Sequence, residues 1–554
     1  KLVHSHVKEL DERLSSLPNH SKFIFMPFVV FEKQDDFRDI NSYNCPIVSA
    51  YSDVIKSAMR LCSEIESPVI NFRDKKLLFK QIDSFLKCHG VESKTRKEAF
   101  KAAVDAQEEY TKEIKAKAFR ILAKSREKHQ LTILLAGRPY HTDPLIQHKL
   151  SDMIATLGVN VISDDIVRND VQTGTGDTLL VRQWAYMNRI IKAGQWCATQ
   201  ANDVQIIQMT SFGCGPDSFI QDEIRHIMTI HDKPYTLLKI DDVSNVGSLR
   251  LRVRSLIESL NNKYNDSVND DSVKDCRAEN EKSDEATLSI VSGTGDKLSE
   301  TANIPPQKKK ILAPYFTEYL TPLLPPLCKL FGWDVEVLPP SDTESAELGL
   351  KYANNEVCYP ATLIVGDFVK ALRSGKYKPE EISAVMTQTG GQCRATNYAA
   401  LIRRALNANG FKNVPLITLG VSTSATDDKE QDGKLDVPWL KMAPIIAMTF
   451  LYGDTISKLY HGSVCRLKKD ALIVGGKFAN KAELLRYQYL SAAKKPILDN
   501  HPKAMMDLIY QAAKDYDEIT DDKTVPAVGI VGEIFLKFNP FAHQYLEKRI
   551  MEKG

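Results

Sequence analysis

The sequence predicts an α/β protein: two tandem Rossmann-like lobes, each a doubly wound parallel sheet with additional helices. Three observations carry that prediction. Short apolar runs alternate with segments of helical periodicity, which is the pattern of sheets covered on both faces. The alternation occurs twice, in matching order. A polar stretch of different composition, residues 261–307, separates the two occurrences.

The elements follow in chain order. "KLVHSHVKELDERL" at the start reads as a polar helix rather than a signal peptide, and its abrupt opening is expected of a piece of a longer polypeptide. "KKLLFKQIDSFLKCHG" has helical periodicity and ends at a glycine suited to a C-cap, with Cys88 as a structural thiol just before it. "KEAFKAAVDAQEEYTKEIKAKAFRILAKSREKH" predicts a long, charged, largely solvated helix packed across the first lobe. The first lobe then takes its strands from "LTILLAGRPY", "NVISDD", "VQIIQM" and "PYTLLKI". The second takes its strands from "KKILAPYFTEY", "DVEVLP", "ISAVMTQ" and "VPLITLG". The expected organisation is 1–260 for the first lobe, 261–307 for a disordered linker rich in Asn, Asp, Ser and Lys, and 308–554 for the second lobe. The repeat implies an internal duplication.

Composition narrows the function classes. Hydrophobic residues are 43% and charged residues 26%, ordinary for a globular protein, and the net charge of +2 gives no reason to expect nucleic acid or a membrane surface as partner. The longest apolar run, "VPWLKMAPIIAMTFLYG", is interrupted by Lys441 and Pro444 and predicts a buried helix rather than a membrane span. The ten cysteines contain no C-x-x-C, so a local zinc finger is not expected, and they are too sparse for a secreted disulfide scaffold. A reduced, cytoplasmic compartment is the expectation.

Four cysteines stand out by position. "VQIIQMTSFGCGPDSFIQDEIRHI" and "ISAVMTQTGGQCRATNYAALIRRA" each read as strand, Gly-and-Cys loop, then helix, and they present Cys214 and Cys393. Gly213, Gly215 and Gly391 let a bulky group approach the backbone. "YNCPIVSAYSDVIK" and "NNEVCYPATLIVGDFVK" place Cys45 and Cys358 just ahead of a proline and a helix. A helix N-terminus favours the thiolate. Four thiolates suit an iron–sulfur cluster or a Cys₄ zinc site, and four unrelated buried cysteines would give the same spacing.

These stretches, with "LLAGRPYHTDPLIQHKL", "YTLLKIDDVSNVGSLRLRVRSL" and "VGIVGEIFLKFNPFAHQYL", resemble the acyl-CoA dehydratase activase-related proteins, relatives of the 2-hydroxyacyl-CoA dehydratase subunits and of the double-cubane cluster proteins. The likeness runs from about Phe23 to Leu546, the linker excepted. It implies a region downstream of ATPase activase domains, carrying an oxygen-sensitive iron–sulfur centre that an ATP-dependent activase reduces to very low potential. In the dehydratase relatives the electron goes to a bound acyl-CoA; in the double-cubane relatives the cluster reduces small molecules. Dehydratase lobes use three cysteines each and double-cubane proteins six in all, whereas only four are placed here. The resemblance therefore implies one bridging 4Fe–4S cluster on Cys45, Cys214, Cys358 and Cys393 ahead of an 8Fe–9S double cubane. The electron acceptor stays open, with an acyl-CoA-binding dehydratase component and a Cys₄-zinc or metal-free scaffold as alternatives.

Other residues are weighed against plainer roles. Arg138, Tyr140 and His141 follow a strand and suit either a binding loop or an ordinary turn. Arg394 and Asn397 follow Cys393, where Arg394 either offsets thiolate charge or lies at the surface. Cys197 and Cys465 lack a glycine loop, Cys328 reads as core, and Cys276 falls in the linker. "TGTGD" at 173–177 lacks the Lys-Ser/Thr of a P-loop. Glu533 in "VGEIF" is expected inside an apolar strand, as a buried carboxylate in need of a partner.

Overall fold

The computed structural model describes residues 2–18, 22–36, 39–168, 178–211, 213–240, 246–269, 308–388, 393–420, 439–473 and 478–553. The described residues up to 269, together with Cys393 and Arg394, form one compact unit; those of 308–388 and from 395 onward form a second.

In the first unit, α1 (Leu2–Ser15) precedes two small parallel ribbons of two strands each. There β1 (Phe23–Phe25) pairs with β3 (Glu64–Glu66), and β2 (Phe28–Phe31) pairs with β4 (Val69–Asn71). Between them lie α2 (Pro46–Ser49) and α3 (Tyr51–Ala58). The next helix, α4 (Lys75–Cys88), starts where the Asp74 carboxylate accepts from the Leu77 N–H at 2.8 Å. It ends at Gly90, whose φ of +74° closes the helix as the sequence predicts. Cys88 is exposed at that end, not hidden as a structural thiol would be. The long charged segment is α5 (Ser93–Glu127), buried only at Ala118, Leu122 and Ser125 near its C-terminus, where it packs on the sheet that follows.

That sheet holds β5 (Thr132–Ala136), β6 (Asn160–Ser163), β7 (Val204–Ser211) and β8 (Tyr235–Ile240) in the order β6-β5-β7-β8, all parallel. Helices α6 (Leu150–Thr156), α7 (Ala185–Thr199), α8 (Gly215–Ile230) and α9 (Val246–Asn269) accompany it. Every residue of β5 is buried because both faces are covered. Ile133, Leu135, Ile207, Leu238, Val253 and Ile257 form the core between sheet and helices. The chain is helical past Asn261 to Asn269, and the rest of the expected linker, 270–307 with Cys276, lies outside the described residues.

The second unit repeats the plan. β9 (Lys310–Ala313), β10 (Val335–Val337), β11 (Ile382–Gln388) and β12 (Leu416–Gly420) run parallel in the order β10-β9-β11-β12. Accompanying helices are α10 (Leu324–Leu330), α11 (Thr343–Tyr352), α12 (Tyr359–Arg373) and α13 (Tyr398–Ala408). In chain position each sheet has the order second, first, third, fourth, and all eight strands coincide with the predicted runs. Helices α11 and α12 meet at glycines: a Cβ on Gly349 would overlap the Thr362 carbonyl, and one on Gly366 would overlap that of Ser345.

A helical layer completes the second unit. It comprises α14 (Trp439–Val464), α15 (Lys481–Ala492), α16 (Lys494–Leu498), α17 (Pro502–Glu518), α18 (Ile534–Phe538) and α19 (Leu546–Glu552). Its core gathers Leu323, Ile445, Tyr452, Ile456, Tyr489, Ile497 and Tyr516. The expected buried helix is thus only half-buried: α14 turns Ile445, Tyr452 and Ile456 into this core and leaves Phe450 and Leu451 exposed, and no helix among the described residues is long and apolar enough to cross a membrane. Glu533 corrects the sequence reading. It is exposed and caps α18, its carboxylate accepting from the Leu536 N–H at 2.9 Å. The apolar neighbours that suggested a strand are the first residues of that helix.

Candidate functional site

In a sheet of this order, the chain leaves the first and third strands in opposite directions, and the crevice between their carboxyl ends is where such folds bind ligands. In the first unit those strands are β5 and β7. The turn after β5 carries Arg138, Tyr140 and His141; β7 ends on Ser211, the turn after it carries Gly213 and Cys214, and Asp217 lies in the first turn of α8. Gly213 takes a φ of +70°, a conformation costly for a side-chain-bearing residue, and it sets Cys214 directly before α8 as that helix's N-cap.

The guanidinium of Arg138 is buried and donates twice to Asp217 Oδ1, from Nε at 2.9 Å and from Nη2 at 2.6 Å. The same Nη2 lies 3.6 Å from Cys214 Sγ. Thr210 Oγ1 donates to the other oxygen of Asp217 at 2.9 Å. Burial works against the charge on Arg138, and the Asp217 carboxylate outweighs it, so the guanidinium stays charged. His141 is fully buried. Its Nδ1 accepts the Arg138 backbone N–H at 3.1 Å, so the ring proton sits on Nε2 and is donated to Ser211 Oγ at 3.2 Å. Burial holds this imidazole neutral, its pKa lowered to about 4. Tyr140 is half-exposed, with its hydroxyl 3.5 Å from the same Ser211 Oγ.

The helix N-terminus does not make Cys214 a ready thiolate. Burial pushes its pKa up to about 11, with the Asp217 carboxylate adding to the effect and Arg138 opposing it. A metal bound there would displace the proton.

Two further thiols of the first unit are tied to the same short segment. Asn41 and Tyr43 donate backbone N–H groups to Arg182 and Gln183, and Ala185 returns one to Tyr43, which lays the residues ahead of Cys45 alongside 182–185. Cys45 then caps α2, with Pro46 in the first helical position. Gln183 is fully buried, and its Nε2 donates to the Cys393 carbonyl at 3.0 Å, while its Oε1 has no hydrogen-bond partner among the described residues. Arg394, half-buried, lays its guanidinium against Gly215, where a Cβ would overlap it. Cys393 is thereby linked on one side to the segment that holds Cys45 and on the other to the residue after Cys214.

In the second unit, Cys358 caps α12 and its sulfur lies 2.8 Å from Tyr398 Oη. Arg394–Asn397 form a single 3₁₀ turn, and the buried Asn397 is the N-cap of α13. Gly391 and the "TGTGD" stretch lie outside the described residues. Among the remaining thiols, Cys197 is core: it is fully buried on α7, donates to the Val204 carbonyl at 3.6 Å, and burial raises its pKa to about 12. Cys328 is half-buried on α10 with its pKa pushed by burial to about 11, and Cys465 is half-buried with its sulfur 4.0 Å from the Met551 carbonyl.

Among the described residues, no group of three or more His, Cys, Asp or Glu side chains stands ready to hold a metal ion. The donor chemistry nevertheless suits a thiophilic centre. Each of the four thiols immediately precedes a helical turn, and two of the sulfurs already face a nitrogen or oxygen donor, Arg138 and Tyr398. Sequence reasoning missed Asp217, Ser211, Gln183 and Tyr398. For two of them a signal was available: "CGPDSF" (214–219) and "CRATNY" (393–398) share a frame in which the third residue after the cysteine is Asp217 or Thr396 and the fifth is Phe219 or Tyr398.

No curated protein and no solved structure matches the chain. Residues 1–167 match the model of the CoA enzyme activase uncharacterised domain, a stretch that includes Cys45 and the turn of Arg138 to His141. That match over the first 167 residues is consistent with the resemblance to the acyl-CoA dehydratase activase-related proteins.

Proposed function

We propose that the chain is an iron–sulfur redox module that accepts low-potential electrons from an ATP-dependent activase and passes them to an acceptor. Cys45, Cys214, Cys358 and Cys393 are its ligands, for one 4Fe–4S cluster. The observation that carries the reading is the repeated placement of a thiol at a helical start, twice at a crevice between first and third strands. The activase-related domain over residues 1–167 supports the partner.

When bound, the cluster would supply a one-electron centre whose potential depends on charge and hydrogen bonds at its sulfurs. The chain's own part is to hold and tune those sulfurs. Arg138, kept charged by Asp217, donates toward Cys214 Sγ and offsets negative charge there. Gly215, having no side chain, leaves room for the Arg394 guanidinium beside that thiol's helix. Gln183 fixes the backbone of Cys393.

The test is anaerobic purification with iron and acid-labile sulfide counted per chain. About four of each is the expected result. About eight irons would replace the single cluster by a double cubane and restore Cys197 or Cys465 as candidates. Zinc, or no metal, would overturn the reading in favour of a scaffold. Substituting each of Cys45, Cys214, Cys358 and Cys393 by Ser should strip or weaken the cluster, while Cys276→Ser should not. Binding of an acyl-CoA to the purified chain would favour the dehydratase-like alternative.

A further inference from the structure

The chain builds one local motif twice. In the first unit β5 is followed by Gly137; Arg138 caps a short helical turn, Asp143 closes it, and Pro144 leads on toward α6. In the second unit Gly532 is followed by Glu533 as the N-cap of α18, Asn539 as its C-cap and Pro540 on the way to α19. The two agree in detail. The Ile146 N–H donates to Asp143 Oδ1 at 3.1 Å, and the Ala542 N–H to Asn539 Oδ1 at 3.1 Å. The Lys149 N–H reaches the Pro144 carbonyl at 2.7 Å, and the Tyr545 N–H the Pro540 carbonyl at 2.8 Å. Each ends on two consecutive left-handed residues, His148 and Lys149 at φ +52° and +55°, Gln544 and Tyr545 at +53° and +54°. Adjacent residues with side chains rarely take that conformation, so the agreement marks one module.

The difference lies ahead of the glycine. β5 is buried throughout, between β6 and β7, both parallel to it. The stretch in the matching place, "AVGIV" at 527–531, is as apolar but forms no strand and is exposed, Val528 at 61% and Val531 at 96%. An apolar run suited to burial on both faces and left unpaired is a site for pairing with another chain. The second unit also has an edge to receive it. Among the described residues β10 pairs with β9 alone, and its three residues are half-buried. In the first unit the corresponding strand, β6, is packed by α5 as well as α6; against β10 packs α10, the counterpart of α6. Asn539 Nδ2 donates to Ser341 Oγ at 3.1 Å, just past β10, and with that anchor made, 527–531 stay off the β10 of their own chain. We propose that residues 527–531 are a docking strand that a second copy of the chain receives, in parallel, beside its β10, the exchange being mutual and closing a two-fold pair.

The experiment is light scattering of the full chain across a concentration series, with hydrogen exchange read by mass spectrometry on the same samples. Two chains per particle are expected at high concentration, with exchange slowed at both 525–533 and 334–338 as pairs form. Val531→Asp should weaken association about ten-fold or more, because a charge replaces a valine that pairing buries. Val531 is exposed within one chain, so melts followed by circular dichroism should match the parent. Ile473→Asp is the control, at an apolar residue 86% exposed elsewhere in the unit, and should leave association unchanged. A single chain at every concentration would overturn the proposal; slowed exchange at both stretches in that single chain would put the strand on its own β10 instead. Pairs that tolerate Val531→Asp, or that lose as much from Ile473→Asp, would overturn it too. Pairs that need Val531 but leave 334–338 unprotected would overturn β10 as the receiving edge.

Discussion

The two sheets share strand order, strand direction and the position of a cysteine after the third strand, yet they surround their thiols differently. In the first unit Cys214 faces a buried ion pair, Arg138 with Asp217. In the second it is the thiol ahead of the third strand, Cys358, that faces a phenol, with Phe535, Phe316 and Phe538 in a chain of ring contacts behind it. The two sheets therefore share one backbone plan, while the side chains around the thiols at their carboxyl edges differ.

The largest expected difference between the units lies in their helices. Gly366→Ala sets a methyl against the Ser345 carbonyl, a backbone atom that cannot turn aside, and should cost about 3 kcal/mol or more in urea unfolding. Gly194→Ala on α7 of the first unit meets only Ile224 side-chain carbons from 3.4 Å and, by removing a helical glycine, should stabilise by about 0.5 kcal/mol. Equal losses at both positions would break the comparison.

Next comes the ion pair. Asp217→Ala leaves a buried guanidinium without its carboxylate and should cost about 3–5 kcal/mol. Thr396→Val at the matching place in the second unit should cost only about 1 kcal/mol, the loss of a neutral hydrogen-bonding group.

A pH series separates the units more finely. Asp39 is pushed up to about 7 by burial, against the pull of Arg182 and Lys192 and with Asp36 and Asp35 adding to the rise. Between about pH 4, where an unfolded carboxylate titrates, and pH 7, the folded chain holds a proton that the unfolded chain has lost. Stability therefore falls as pH rises through that window and levels above it. Asp39→Asn should gain on the parent between pH 5 and pH 8 in urea midpoints. Asp367 of the second unit, raised to about 6 chiefly by burial, has the same sign over a narrower window, so Asp367→Asn should show its gain complete by about pH 7. A variant that loses ground as pH rises would contradict the assignment. The smallest effect is at Tyr315, whose buried hydroxyl has no hydrogen-bond partner among the described residues. Tyr315→Phe should be neutral or stabilise by up to about 1 kcal/mol, read from the thermal midpoint.

The eight sheet strands were legible because burial on both faces demands short, continuous apolar runs, and nothing else in the chain imitates them for long. The two ribbons of β1 to β4 were not, since strands of three or four residues with partly exposed side chains leave no periodicity to read. Glu533 was misread for a related reason: five residues of apolar context do not distinguish a strand from the start of a helix, and the carboxylate's role as a cap depends on where the backbone turns. The helical starts at Cys45, Cys214 and Cys358 were visible from their prolines and glycines. The partners were not. Gln183 reaches Cys393 across 210 residues, and no local pattern encodes that contact. The raised pKa of Cys214 depends on burial and on a carboxylate three residues away that the sequence shows but does not orient.

The His141 ring also settles what the first crevice does not do. A serine, a histidine and an aspartate stand close together there, a set that invites a hydrolytic interpretation. A nucleophilic serine needs an imidazole nitrogen with a free, uncommitted lone pair turned toward its hydroxyl. Here that lone pair is on Nδ1 and is already taken by the Arg138 backbone N–H, so the nitrogen facing Ser211 arrives with its proton on. Asp217 is meanwhile committed to Arg138 and Thr210 rather than to the ring. The three residues are wired in the reverse sense of a charge-relay triad, and Ser211 Oγ is a hydrogen-bond acceptor in a structural chain, not an alcohol primed for attack.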